Sequence, residues 1–100
     1  MERGGYTYII TNTYNSTIYT GSTTQLYTRI YEHRNKENPN SFSARYNLWK
    51  LVYFESFDNI QEAREREYYI KGKRRKWKEE LINSKNPDWN DLYNLIRNTD

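Results

Sequence analysis

The chain has 100 residues, room for about one small domain with a modest core. Only 35% of residues are hydrophobic and 29% are charged, but 17% are aromatic, with eleven Tyr, three Trp and three Phe, which excludes a disordered chain and demands a core rich in Tyr. Cysteine is absent and histidine occurs once, which excludes disulfides, thiolate metal sites and His-rich metal centres, so any metal here is held by oxygens. The net charge of +3 hides a concentration. Residues 64–78 carry eight Lys or Arg against two Glu, a net of +6, while the other 85 residues sum to −3. Such a block suits a polyanion partner, and a solvated helix face is the bland alternative.

Met1-Glu2-Arg3-Gly4-Gly5 leads straight into patterned sequence without the character of a signal peptide. No apolar run approaches the roughly 20 residues of a membrane-spanning helix, so a cytoplasmic (intracellular) setting is expected. Residues 6–11 are β-branched and aromatic, residues 12–16 are turn chemistry, and residues 17–20 resume strand character, which predicts an antiparallel hairpin. Ser22-Thr-Thr-Gln25 matches a capping box that opens a helix reaching about Arg34, with Leu26 and Ile30 as its apolar stripe. Residues 35–47, polar and Asn-rich, read as an exposed loop, and Leu48–Phe57 as a central strand. Asp58 or Asn59 can cap a long helix from Ile60 to about Lys78, with Gly72 as its weak point. A short helical piece over Lys78–Asn83 follows, and Asp88 can cap a last helix reaching about Arg97. One domain, residues 1–100, is expected, and mixed elements with hairpin-connected strands argue for an α+β class.

Some residues break these patterns. In the long helix, Ile60, Ala63, Ile70, Trp77 and Leu81 share one arc of roughly 100°, and Glu67 points into the middle of it. A carboxylate on such a face either holds a cation or is paired, with Arg74 as a candidate partner. Arg29 and His33, four apart, are neighbours on one helix face; Arg can grip a phosphate, and His can exchange protons near neutral pH. Tyr8 and Tyr19 lie on the two hairpin strands, where packing is the ordinary role. Gly21, just after the second strand, signals close backbone approach or an unusual φ, and Asn86 before Pro87 can start a turn.

Taken together, Tyr6-Thr-Tyr8-Ile-Ile, Ile18-Tyr19-Thr20-Gly21, Leu26, Arg29 and His33 resemble the GIY-YIG nuclease family. The resemblance continues through Arg45-Tyr46-Asn47, Leu51-Val-Tyr-Phe-Glu55, Ala63-Arg-Glu-Arg-Glu67 and the basic stretch to Asn86-Pro-Asp-Trp89. It is strongest to the small standalone branch that consists of the catalytic domain alone. The first motif lacks its Gly-Ile, and the second has Thr20 where the family often has Ile; both substitutes suit a strand.

The resemblance implies a small three-stranded antiparallel β-sheet flanked by helices. It also implies a divalent-metal-dependent endonuclease acting on nucleic acid, DNA favoured, and selective for structure or strand rather than base sequence. Glu67 would bind Mg²⁺ or Mn²⁺, and Arg29 would neutralise charge on the phosphate. Tyr8 would be the general base, with Tyr19 positioning the water or sharing the role and His33 relaying the proton. Gly21 and Asn86 would help position substrate. Lys71, Lys73, Arg74, Arg75, Lys76 and Lys78 would hold the nucleic-acid backbone. The rival reading is a non-catalytic nucleic-acid-binding module of the same fold.

Overall fold

The computed structural model describes residues 4–100, so the reading of Met1, Glu2 and Arg3 lies outside it. Strands β1 (Gly5–Thr11), β2 (Ile18–Thr23) and β3 (Lys50–Phe57) form one sheet in the order β2-β1-β3, with both pairings antiparallel. The architecture is α+β, as the element order predicts. Helices α1 (Leu26–Arg34), α2 (Phe42–Arg45), α3 (Ile60–Lys71) and α4 (Arg75–Lys85) surround the sheet, and a 3₁₀ turn (Tyr93–Leu95) follows.

The Leu48–Phe57 segment, expected as the central strand, is instead edge strand β3; β1 is central and covered on both faces, and its residues sort by alternation. Tyr8 and Ile10 join Leu26, Ile30, Leu48, Leu51 and Ile96 in one apolar cluster, the α1 side. Ile9 joins Val52, Tyr53, Ile70 and Ile82 in the other, the side of α3 and α4. The register with β3 shifts between Ile9 and Ile10, a bulge that lets consecutive Val52 and Tyr53 both serve the second cluster. At the hairpin, Asn12 Oδ1 accepts from the Ser16 and Thr17 amides, and Asn15 adopts a left-handed φ of 58°, a conformation Asn tolerates.

Four local expectations are corrected. Ser22 does not cap a helix, because β2 runs on to Thr23 and pairs Ser22 with Thr7. Helix α1 starts at Leu26, and the Asp100 carboxylate accepts from the amides of Tyr27 and Thr28 at 2.8 and 2.9 Å. The segment 35–47 is not all loop: Ser41 caps α2 by accepting from the Ala44 amide. The long helix stops at Gly72 and a new one starts after Arg74, which has extended geometry, so Trp77 and Leu81 ride on α4 and not on the helix of Glu67. That corner turns α4 so that Ile82 reaches the cluster of Ile9 and Val52.

The last predicted helix is replaced by the 3₁₀ turn. Asp91 and Leu92 are committed to β3: the Leu92 amide donates to the Leu51 carbonyl at 2.8 Å, and Asp91 Oδ1 accepts from the Leu51 amide. Trp89, at φ 52°, is also outside helical geometry. No helix among the described residues is long and apolar enough to cross a membrane.

Candidate active site

The site is built at the outer edge of β2, where the two sides of the sheet meet. Tyr8 lies opposite Gly21 in the β1–β2 ladder. Its ring crosses that position: a Cβ on Gly21 would sit 2.5 Å from the Tyr8 hydroxyl oxygen and 2.6 Å from Cζ. Gly21 has no positive φ, so of the two readings of this glycine the close approach is the correct one. The bare residue lets a ring that is 1% exposed carry its hydroxyl toward the sheet edge.

On the α1 side, the Tyr8 hydroxyl and His33 Nε2 are 2.9 Å apart, and His33 Nδ1 is 2.7 Å from Ser43 Oγ. Ser43, on α2, lies 3.1 Å from Ser41 Oγ in turn. Burial, reinforced by the charge of Arg29, lowers the His33 pKa to about 4, so the imidazole is neutral near pH 7. A neutral ring has one donor and one acceptor nitrogen. With Nε2 accepting from Tyr8, Nδ1–H donates to Ser43. Burial pushes the Tyr8 phenol well above its ordinary value, while Arg29 opposes that shift and Tyr19 and Glu67 add to it. The Tyr8 hydroxyl therefore senses all three of these side chains.

Arg29 gains from the same contact: the Tyr8 oxygen is the largest cause of its raised pKa, and its Nη1 also pairs with Glu32 at 3.3 Å. Arg29, Glu32 and His33 line a cleft of about 330 Å³ with Ser41 and Ser43. Arg29 also borders the neighbouring hollow lined by Ser22 and Thr28. The Tyr19 ring stands edge-on to His33, with centroids 6.0 Å apart.

Glu67 reaches the same edge from the other side of the sheet, one turn of α3 beyond the buried Ala63. Its carboxylate accepts from the Ser22 hydroxyl through one oxygen and from Lys71 Nζ at 2.5 Å through the other. The pairing with Arg74 left open by the sequence is thus made by Lys71. Among the described residues no three His, Asp or Glu side chains cluster as metal ligands. One partly buried carboxylate suits a hard cation that keeps most of its shell as water and phosphate oxygens, as Mg²⁺ does, so the residues fit such an ion.

Five predicted residues, Tyr8, Tyr19, Arg29, His33 and Glu67, thus converge around Gly21. Asn86 does not join them. Its buried amide donates to the Val52 and Asn90 carbonyls and accepts from the Asn90 amide, which ties the end of α4 to β3. The basic segment is not one helix face but a corner. Arg75 is spent on the hairpin turn, donating to the Asn15 and Ser16 carbonyls at 2.6 Å and to Glu79 at 2.8 Å. Lys73 Nζ lies 4.4 Å over the Tyr69 ring, and Lys73, Arg74 and Lys76 border a shallow hollow with Trp77. Lys78 follows one turn into α4. Sequence reading missed Ser22, Ser43 and the Lys71–Glu67 pair.

A model of the GIY-YIG catalytic domain matches residues 4–80 of the sequence. The chain belongs to the GIY-YIG family. It is therefore a member of a nuclease family, and the match takes in every residue converging at the β2 edge but stops short of Asn86. The chain is 44% identical over 80 residues to the UPF0213 protein CPE1444 of Clostridium perfringens, covering 80% of this chain and 84% of that one. Its fold is similar to the solution structure of the UPF0213 protein BH0048 from Bacillus halodurans. That likeness has a TM-score of 0.56 at 26% identity and covers 97% of this chain and 99% of the other.

Proposed function

We propose that this protein is a divalent-metal-dependent endonuclease that hydrolyses phosphodiester bonds in DNA, choosing its substrate by structure or strandedness rather than by base sequence. The observation that carries the reading is the convergence of the Tyr8–His33–Ser43 chain, Arg29 and Glu67 on one edge of the sheet. A binding module needs the cationic corner but has no use for buried titratable side chains bonded in series. A cytoplasmic setting suits such an enzyme.

In the free protein Tyr8 and His33 are both neutral, because burial disfavours the charged form of each. The Arg29 charge opposes the rise in the Tyr8 pKa and so favours the phenolate. Once a phosphate is bound, His33 Nε2 takes the Tyr8 proton while Nδ1–H remains bonded to Ser43. The Tyr8 oxygen in turn takes a proton from a water positioned by Tyr19. The resulting hydroxide bonds to phosphorus, the bond from phosphorus to the leaving oxygen breaks, and that oxygen is protonated from solvent. The fork of the Arg29 guanidinium faces the charge that grows on the phosphoryl oxygens.

Glu67 would hold a Mg²⁺ or Mn²⁺, which when bound supplies Lewis-acid polarisation and stabilises the leaving oxygen. Lys73, Arg74, Lys76 and Lys78 would hold the backbone through contacts indifferent to sequence. Asn86 and Arg75, occupied elsewhere, have no part in this reading. The test is single-turnover cleavage of an end-labelled oligonucleotide in Mn²⁺ and in EDTA. Fragments that form only with the metal are expected; binding without cleavage in both conditions would leave the non-catalytic module.

A further inference from the structure

We propose that Lys71 is a resident counter-ion that occupies the Glu67 carboxylate in place of a divalent cation until nucleic acid arrives, so that metal and substrate load together. The proposal rests on Glu67 as the metal ligand and makes Lys71 a backbone contact only after it leaves that carboxylate. Both oxygens of Glu67 are already engaged, one by the Ser22 hydroxyl and the other by Lys71 Nζ at 2.5 Å. Lys71 stands one turn after Glu67, the favourable order for a helical ion pair. The Glu67 side chain is 20% exposed and that of Lys71 45%, so the carboxylate is held in place while the ammonium is free to leave.

The two cations compete for the oxygen. Mg²⁺ demands a near-octahedral shell at about 2.0–2.1 Å, and an ammonium at hydrogen-bond distance from the same carboxylate takes one of its lone-pair sites and repels the ion. Metal entry is therefore favoured when Lys71 swings out on its flexible stem. Its ammonium already lies 5.4 Å from the centroid of the Tyr19 ring, at the edge where the phosphate would lie. A phosphate oxygen offers it a new partner at the moment the carboxylate is needed for the metal. Free protein then binds metal weakly, and by linkage nucleic acid and metal strengthen one another by the same factor.

The test uses Mn²⁺ alone, titrated into the intact protein and followed by the electron paramagnetic resonance of the free ion. Lys71→Met is expected to bind Mn²⁺ more tightly by on the order of tenfold, from loss of a competing partner and of a repelling charge. Lys71→Arg, which keeps the counter-ion, and Lys73→Met, which removes an equal charge nearby, should stay near wild type. Adding Glu67→Gln to Lys71→Met should abolish the gain. Equal affinity in wild type and Lys71→Met, with binding still dependent on Glu67, would overturn the counter-ion role and leave Glu67 as the ligand. An equal gain in Lys73→Met would reduce the effect to net charge and also overturn it. Mn²⁺ binding unaffected by Glu67→Gln would overturn this proposal together with the metal site itself.

Discussion

On the α3 and α4 side of the sheet, the buried hydroxyls of Thr7 and Thr11 donate to main-chain carbonyls, those of Ala63 and Thr17, and the surrounding cluster of Ile9, Val52, Ile70 and Ile82 is apolar. On the α1 side, the polar atoms of buried Tyr8, half-buried His33 and buried Ser43 bond to one another in series, from the apolar cluster out to the polar cleft. A hydroxyl bonded to backbone stabilises a fold at little risk. A chain of titratable groups does less for stability, since each member depends on the next and burial opposes its charged form. The first arrangement is what a small core needs; the second makes sense as chemistry, because perturbed titratable groups cluster where protons are moved. The two sides touch at Gly21 and Ser22, where Glu67 bonds Ser22 and its charge is felt by the Tyr8 hydroxyl.

The contrast predicts that substitutions on the α1 side change turnover more than stability. The largest effect should come from Arg29→Lys, which keeps the charge but not the planar fork. Single-turnover cleavage should fall about 10²-fold or more, while thermal stability stays within roughly 0.5 kcal/mol of wild type. Near-wild-type cleavage would remove Arg29 from the site. Ser43→Ala should come next, at about tenfold, the low end for losing a partner that orients a catalytic imidazole. The ¹⁵N shifts of the His33 ring should show loss of the single tautomer, which a purely structural role for Ser43 would leave in place.

Ser43 also shows where sequence reading stops. Tyr8, Tyr19, Arg29, His33 and Glu67 are visible because each is a chemical residue in a patterned element, and the family motif joins them. Ser43 is one serine among several in a polar stretch, and its role depends on how residues 35–47 return α2 to the end of α1. Ser22 hides for a similar reason: Ser22-Thr-Thr-Gln25 satisfies a local capping rule, but ladder pairing with Thr7 overrides it. The basic segment fails differently. Composition counts its charges correctly, yet the helix ends at Gly72 and the chain turns at the extended Arg74, while the hairpin turn, remote in sequence, claims Arg75. The strands were legible to within about two or three residues because β-branched and aromatic content marks them.

Acid stability supplies a third, milder test. The folded His33 pKa is about 4, below its ordinary 6.5, so between these values the unfolded chain binds a proton that the native one does not. This contribution to stability is complete above pH 6.5 and is lost as pH falls from 6.5 to about 4. Subtracting the denaturation midpoints of His33→Gln from those of wild type across that window should leave a positive slope with pH; a flat difference would mean that His33 charges freely in the fold. The smallest effect belongs to the opposite side of the sheet. Ile82→Val should lower stability by about 0.5–1.5 kcal/mol and leave cleavage per folded molecule unchanged. A cleavage defect in Ile82→Val would erase the distinction between the two sides.

The central claim is that Glu67 serves the reaction rather than the fold or the grip on nucleic acid. It is tested most directly by measuring cleavage in Mn²⁺ and oligonucleotide affinity in EDTA for Glu67→Ala beside wild type. Cleavage should disappear while affinity is kept or raised, because a carboxylate near the phosphate is gone and Lys71 is released. Wild-type cleavage by Glu67→Ala in Mn²⁺ would remove Glu67 from the reaction.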